Sequence, residues 1–567
     1  MAWFPVPARI SRVPHDVRLT RVWKNVFCAL PTSLPCRTGK RRWKSLLRPL
    51  SGRTDERKSS VLSSRTPLTN ANYMNFFIRN VLLFHLLVLV LAFSWIHGGT
   101  RPDLLLPIIP WLSFFVLELM LVFPQAKSDE TLSEARSRVF DTLVRDPLFY
   151  FALLLILYLC LPFINVAGQP EYNATLDIWR NPPAPNKSWP FCVDSKEHAV
   201  MFLWFPPALI AALAAKHGLL KKNKRLLFES LCWNGAALSV FGFWQLFTGA
   251  QSIFWGDQKF SHFFSTFGYP NFAGAFFTLL FALSAGLWIS RATVGVIGPV
   301  RVKGTFDEPS LWERHYLLGA TLLNLGGAIA SLSRAAILLC GIIMLALGVY
   351  VLFGLWQKLH TGGRVKLSVS ALIILFLAGI FLKVLAPESL KKEVATITPS
   401  EVVARVSGRN YYHNQMALAI FRDHRWFGVG GWGYPHYLLS YMTPEQKKRM
   451  QITGGANVHN DTLQFLAEHG VVGFTLIVSC ALALLFSLIR QSFKLCRKLA
   501  AAGVGRGSIR PVWLYNVPPV VVAVFVGTFA TVCHSLGDLP FRCPSIMIVW
   551  VLAFVCATGY IPVVRRK

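Results

Sequence analysis

From Asn80 onward, apolar runs of about 20 residues recur along the chain, each long enough to cross a hydrocarbon layer of roughly 30 Å as a helix. The segments between them are mostly short. Runs are read at 79–97, 104–123, 148–167, 199–215, 226–249, 270–290, 315–332, 335–355, 367–385, 470–489, 515–533 and 545–562. The expected fold is therefore all-α: a polytopic membrane protein with about 12 transmembrane helices and one large helical loop between the ninth and tenth. Composition agrees, with 53% hydrophobic residues, a mean hydropathy of +0.45 and 15% charged residues, against about 25% charged in an ordinary soluble domain.

A net charge of +31 would suit a nucleic-acid binder, but fifteen of the 58 Lys and Arg fall in the first 69 residues and most others flank apolar runs. That distribution fits positive-inside topology and attraction to anionic lipid. Membrane lipids, not nucleic acid, are the expected partners. With the amino terminus inside, even-numbered runs end in the cytosol, where Lys216, Lys221, Lys222, Lys224 and Arg225 follow the fourth, Arg291, Arg301 and Lys303 the sixth, and Arg490, Lys494, Arg497 and Lys498 the tenth. Lys358, Arg364 and Lys366 follow the eighth, and Arg565, Arg566 and Lys567 the last, so both termini are cytosolic. Segments 168–198, 250–269, 386–469 and 534–544 then face outside; long translocated loops are exempt from the charge rule.

Four segments result: a basic leader at 1–75, nine spans at 76–385, the large loop at 386–469, and three spans with a short basic tail at 470–567. The leader lacks the apolar core of a signal peptide and reads either as a disordered cytosolic tail touching lipid or as sequence upstream of the true start. The eleven cysteines sit mainly inside apolar runs with no CxxC pair, so neither zinc ligation nor a disulfide framework is expected. Cys533 and Cys543 read as a pair in an oxidising compartment or, more simply, as small packing residues.

The run from Val406 to Gly473 is the only long polar insertion in the hydrophobic half of the chain. It concentrates His413, His424, His436, His459 and His469 with Arg409, Arg422 and Arg425, just after Arg405. Loops of this length are usually functional or disordered, and its aromatics and closing helical pattern argue against disorder. It is the candidate active site. Val458-His-Asn-Asp-Thr-Leu-Gln-Phe-Leu-Ala-Glu-His-Gly470 has helical spacing, which puts His459 at the first turn and Glu468 about 13 Å further along the axis. The two cannot form one dyad. A helix N-terminus disfavours a protonated imidazole, and a neutral one can accept a proton; equally, a lone His is often structural. No HExxH spacing is present, so no metal is expected.

Two arginines stand out. Arg334, in Ser331-Leu-Ser-Arg334, falls at the turn between the seventh and eighth spans, where a charge near membrane depth usually faces an anion, a partner or water. It reads equally as a phosphate-binding guanidinium or a snorkelling anchor. Arg409 follows Ser407-Gly408 at the head of a helical stretch and reads as a second anion ligand or a solvated charge. The Gly-rich run Phe427-Gly-Val-Gly-Gly-Trp-Gly433 permits close backbone approach but lacks nucleotide-site spacing. Gly268-Tyr-Pro-Asn271 opens the sixth span, and Cys533 to Arg542 places His534, Asp538 and Arg542 in a short outer turn, where an Asp–Arg pair would tie the last two spans together.

Taken together, Gly268-Tyr-Pro-Asn271, Ser331-Leu-Ser-Arg334, Ser407-Gly-Arg409, Asp423 to Gly433, His459-Asn460, Glu468-His-Gly470 and His534 to Pro544 resemble the O-antigen ligase and polymerase superfamily of bacterial envelope proteins, over about residues 260–550. The resemblance implies a metal-independent glycosyltransferase of the bacterial inner membrane, with no cofactor and a periplasmic site. Its donor would be a glycan on undecaprenyl pyrophosphate and its acceptor a glycan, lipid or protein. Arg334 and Arg409 would bind the diphosphate, His459 would take the acceptor proton or help bind the leaving group, and Asn460, Glu468 and His413 would line the substrate. The family usually has a Trp shortly after the second arginine; here Tyr411-Tyr412-His413 follows, which makes His413 a rival proton carrier. Ligase, polymerase and protein O-glycan ligase all remain open. A transporter is the reading of another class, for which Glu118, Glu229 and Lys383 are the few intramembrane candidates.

Overall fold

Helices dominate the computed structural model, as apolar runs dominate the sequence. Residues 70–173, 175, 178–256, 262–293, 310–356, 363, 409–443, 457–501 and 517–561 are described. The chain divides into two compact units, Met1–Asn72 and Tyr73–Lys567, and the described structure lies almost wholly in the second. The leader falls outside it except for residues 70–75, which already belong to the first helix, and the ninth expected span, with Lys383, falls outside it too.

Among the described residues, the helices of eight residues or more are α1 (Asn70–Trp95), α2 (Ile109–Val122), α3 (Leu132–Leu143), α4 (Pro147–Cys160), α5 (Met201–Leu213), α6 (Lys221–Phe247), α7 (Pro270–Ala292), α8 (Leu311–Ala330), α9 (Arg334–Trp356), α10 (Arg409–Asp423), α11 (Tyr434–Tyr441), α12 (Asp461–Ala501), α13 (Pro519–Ser535) and α14 (Pro544–Ala557). Among the described residues, six stretches are long and apolar enough to cross a membrane: Pro147–Ile164, Ser195–Gly218, Lys221–Phe247, Pro270–Ala292, Arg334–Trp356 and Asp461–Lys498. Asn80–Trp95, Ile109–Val122, Pro519–Ser535 and Pro544–Tyr560 are shorter apolar helices at expected spans. The seventh span is the helix α8, with Glu313, Arg314 and His315 near its start. Among the described residues, the departure from helix is a small antiparallel hairpin, Glu171–Asn173 with Ile178–Arg180, in which Tyr172 faces Trp179.

The bundle is built around α7, which is buried along almost its whole length from Ala273 to Leu287 and packs against α6, α8, α9 and α13. Lipid tails are as apolar as leucine, so helices in a bilayer gain by close approach, which small residues permit. Gly286 of α7 lies against Ala523 and Val520 of α13, Gly527 of α13 against Ala282, and Gly274 against Ser333 and Ala336 at the start of α9. Buried amides are satisfied between helices: Asn234 accepts from Trp95 Nε1 at 2.9 Å, and Asn324 donates to the Cys232 carbonyl at 3.1 Å. The cysteines of the described residues are free thiols, so Cys533 and Cys543 are not bridged; Cys543 Sγ donates to the Gly98 carbonyl at 3.0 Å.

At the Lys221 end of the bundle Glu229 is held by Arg291 Nη2 at 2.6 Å, Tyr316 Oη at 2.7 Å and Tyr560 Oη at 3.1 Å. The opposite end carries the loops and the starts of α7, α9, α12 and α14. Packing at Gly286 gives a direct test. Gly286→Val forces α13 off α7 and should cost about 1–3 kcal/mol or more, lowering the thermal midpoint of the purified protein, whereas Gly319→Val, at a glycine facing open space, should not.

Candidate active site

Three separate stretches of sequence meet at the carboxylate of Asp538. His459 Nδ1 lies 3.3 Å from Asp538 Oδ1. Tyr269 Oη donates to the same carboxylate at 2.9 Å, Asn271 Nδ2 donates to it as well, and the amide of Leu539 donates at 2.9 Å. Pro270 sits at the first helical position of α7, where its missing N–H costs nothing; this fixes Tyr269 and Asn271 at the helix mouth. Asp538 is buried. Burial pushes its carboxyl up, but the hydrogen bond and charge of His459, the charge of His534 and the Tyr269 hydroxyl outweigh it and leave the group below the usual carboxylate range. With Asp538 ionised, the Nδ1 that faces it carries an imidazole proton.

His459 stands two places before the first residue of α12. Asn460 caps α12, its Oδ1 accepting from the Leu463 amide at 3.1 Å, and His459 takes φ 55°, a left-handed backbone rare for a side chain larger than glycine. The helix then breaks at Gly470 (φ 60°). A break frees backbone groups that need partners, and the Gly-rich run supplies them. Val429 and Gly430 donate to the Ala467 and Glu468 carbonyls at 3.1 and 2.8 Å, while Val471 and Val472 donate to those of Arg425 and Trp426 at 2.8 and 3.1 Å. A Cβ on Gly428 or Gly470 would run into the other strip's backbone, and both have positive φ. The glycines thus serve close packing of protein on protein.

Beneath this contact lies a buried charge cage. Arg542 Nη2 donates to Glu468 Oε2 at 2.6 Å, its Nε lies 3.7 Å from Asp461 Oδ1, and its guanidinium sits 5.1 Å from each of the Trp204, Trp432 and Phe465 ring centres. Gln464 Nε2 donates to Glu468 Oε1 at 3.0 Å. Arg542 therefore pairs with Glu468 and Asp461, not with Asp538 as the short outer turn suggested.

The loop histidines separate by environment. His413 is buried with Nδ1 2.9 Å from Tyr434 Oη, so the rival proton carrier is packed inside the loop. His424 packs between the Phe191 and Tyr437 rings, and burial holds it below the ordinary imidazole range. His436 Nε2 lies 2.6 Å from Glu197 Oε2, and His469 is buried against Tyr158 and Phe465. Glu468, expected on the substrate, is fully buried and taken up by Arg542 and Gln464; its visible part is to hold the frame.

Arg334 opens α9 half-buried, directly after Ser333, whose Oγ accepts from the Ala336 amide at 3.5 Å. The Ser331–Ser333 turn packs on Gly274, one helical turn along α7 from Asn271. Arg334 and the Asp538 cluster therefore share the mouth of α7. Arg409 begins α10, with only its backbone described. Among the described residues, no three His, Cys, Asp or Glu side chains gather as metal ligands would.

Residues 319–478 match the family model described as O-Antigen ligase. Within residues 319–478 the chain carries a segment similar to the O-antigen ligase family. No curated protein matches it. The matched segment contains Arg334, Arg409 and His459, whereas Tyr269, Asn271, Asp538 and Arg542 lie outside it and join it only in space. An O-antigen ligase segment of this kind marks a membrane glycosyltransferase of the ligase or polymerase type. Sequence reasoning missed Asp538 as the partner of His459; the available signal was the company of His534, Asp538 and Arg542 beside a second group of His and Asp.

A carboxylate with a depressed folded-state pKa contributes stability above its unfolded pKa of about 3.9 and loses it as pH falls through the folded value. The difference in thermal midpoint between the wild type and Asp538→Asn should therefore stay constant from pH 8 to pH 5 and shrink only below about pH 3.9.

Proposed function

We propose that the chain is an O-antigen-ligase-like glycosyltransferase that moves a glycan from undecaprenyl pyrophosphate to an acceptor such as lipid A-core, at the periplasmic face of the bacterial inner membrane and without a metal. The observation that carries this reading is the His459–Asp538 contact at the mouth of α7, beside the start of α9 with Arg334. In the reaction, His459 Nε2 takes the proton of an acceptor hydroxyl while its oxygen attacks the anomeric carbon. The bond from that carbon to the phosphate oxygen breaks, and the electron pair leaves on the diphosphate. Arg334 and Arg409 pair with the charge that builds there, as a guanidinium fork suits phosphate oxygens. Asp538 holds the imidazole proton on Nδ1, which keeps Nε2 basic. Asn460 caps the helix beside the base and lines the substrate.

Two other acceptors fit the same chemistry, a growing polysaccharide and a secreted protein. Transport is the weaker alternative, since Glu229 is held by Arg291, Tyr316 and Tyr560 at the far end of the bundle. Deleting the gene in its native host separates these readings. Full-length O-antigen lost from lipid A-core, with lipid-linked polymer accumulating, supports the ligase; shortening to single repeats supports a polymerase; unchanged glycans reject both.

Arg334→Ala and His459→Ala should each lower transfer by about 10²–10⁴-fold while expression stays normal, and wild-type product from either would overturn the site. Transfer should survive EDTA; activity lost to chelation and restored by Mg²⁺ or Mn²⁺ would refute the metal-free route.

A further inference from the structure

The turn that carries Asp538 ends four residues later on Arg542, and both ends of that turn are sewn to the start of α12. The Phe541 amide donates to Asp461 Oδ2 at 2.8 Å, and the Asp461 amide donates to the Asp538 carbonyl at 3.3 Å. Asp461 and Glu468 start seven residues apart on α12, about 10 Å along its axis, yet their carboxylates converge on two edges of one guanidinium. Trp204 from α5, Trp432 from the Gly-rich run and Phe465 from α12 enclose that guanidinium.

An ion pair this deep is a poor source of stability, because desolvation offsets the attraction and apolar side chains of similar volume often serve as well. What a planar, multiply donating fork supplies is geometry. We propose that Arg542 is a positioning residue, which locks the 538–542 turn onto α12 and so sets Asp538 at its distance from His459. This rests on the reading of His459 as the proton acceptor. His459 lies two residues before Asp461 and Asp538 four before Arg542, so the lock sits within a few residues of both partners and little slack remains in the contact.

The decisive experiment is a double-mutant cycle on glycan transfer by the purified full-length protein in lipid nanodiscs, with a polyprenyl-diphosphate-linked glycan as donor. Asp538→Asn should lower kcat by about 10–100-fold, the usual effect of removing a group that orients a functional imidazole. Arg542→Met, which keeps the packing against the rings, should lower kcat to a similar degree with KM for the donor little changed. The double variant should be no worse than the more damaged single one, because both act through the same contact. Arg542→Lys, a point charge in place of a fork, should not rescue. If Arg542→Met does not fold, Glu468→Gln weakens the lock more gently and should show the same selective loss of kcat. Losses that multiply in the double variant, or a wild-type kcat for Arg542→Met or Glu468→Gln, overturn the role of Arg542. Full transfer by His459→Ala instead sinks the functional reading itself.

Discussion

The carboxylate of Asp538 is the point on which the candidate site turns. It lies on the turn between the last two helices, yet its donors come from the mouth of α7 and from the residue before the α12 cap. A buried carboxylate without donors would carry a heavy desolvation penalty. Tyr269, Asn271, the Leu539 amide and His459 remove that penalty together, and in doing so they fix the relative positions of three helices. Position and ionisation are therefore one property here. The donors that keep Asp538 charged are the groups that hold the helix ends in register, and the charge in turn decides which nitrogen of His459 keeps its proton.

The break at Gly470 shows the same economy on the backbone. An uninterrupted α12 would satisfy its own carbonyls and leave the Gly-rich run with no reason to lie along it. Breaking the helix exposes the Ala467 and Glu468 carbonyls and the Val471 and Val472 amides, and the run from Arg425 to Gly430 takes all four. Tyr158 adds a third strand of contact by donating to the Phe427 and His469 carbonyls at 3.0 and 2.8 Å. The polar loop is anchored to the membrane bundle through main-chain groups, which is why glycine is needed where two backbones meet.

Helices and their placement were legible because a run of apolar residues as long as a bilayer is thick has one common solution. Arg334, Arg409 and His459 stood out by chemical type, as cations and an imidazole beside apolar spans, and their roles belong to the proposed function. Pairing was not legible. Asp538 lies 79 residues from His459 and 269 from Tyr269, and nothing in a local pattern says which carboxylate crosses such gaps. Arg542 was assigned to its neighbour Asp538 for the same reason, and the fold gives it Glu468 and Asp461 instead. Glu468 and His413 looked available in sequence because polarity is visible there and burial is not. Span boundaries drifted for a related cause. The leader was read to residue 75, whereas the helix that ends at Trp95 already begins at Asn70, its polar first turns masking it from a hydropathy reading.

Direction of the helices adds a consequence that no single residue carries. Helices α7, α9, α12 and α14 begin at the end of the bundle where Asp538 and Arg334 lie, while α8 and α13 end there at Ala330 and Ser535, so dipole ends of both signs meet and largely offset one another. Asp461, Glu468 and Asp538 are among the buried groups at that end. Those carboxyl groups are all engaged, by Arg542, by Phe541 N–H and by the Asp538 donors. That engagement lets a buried carboxylate face His459 without standing open to solvent at the mouth of α7.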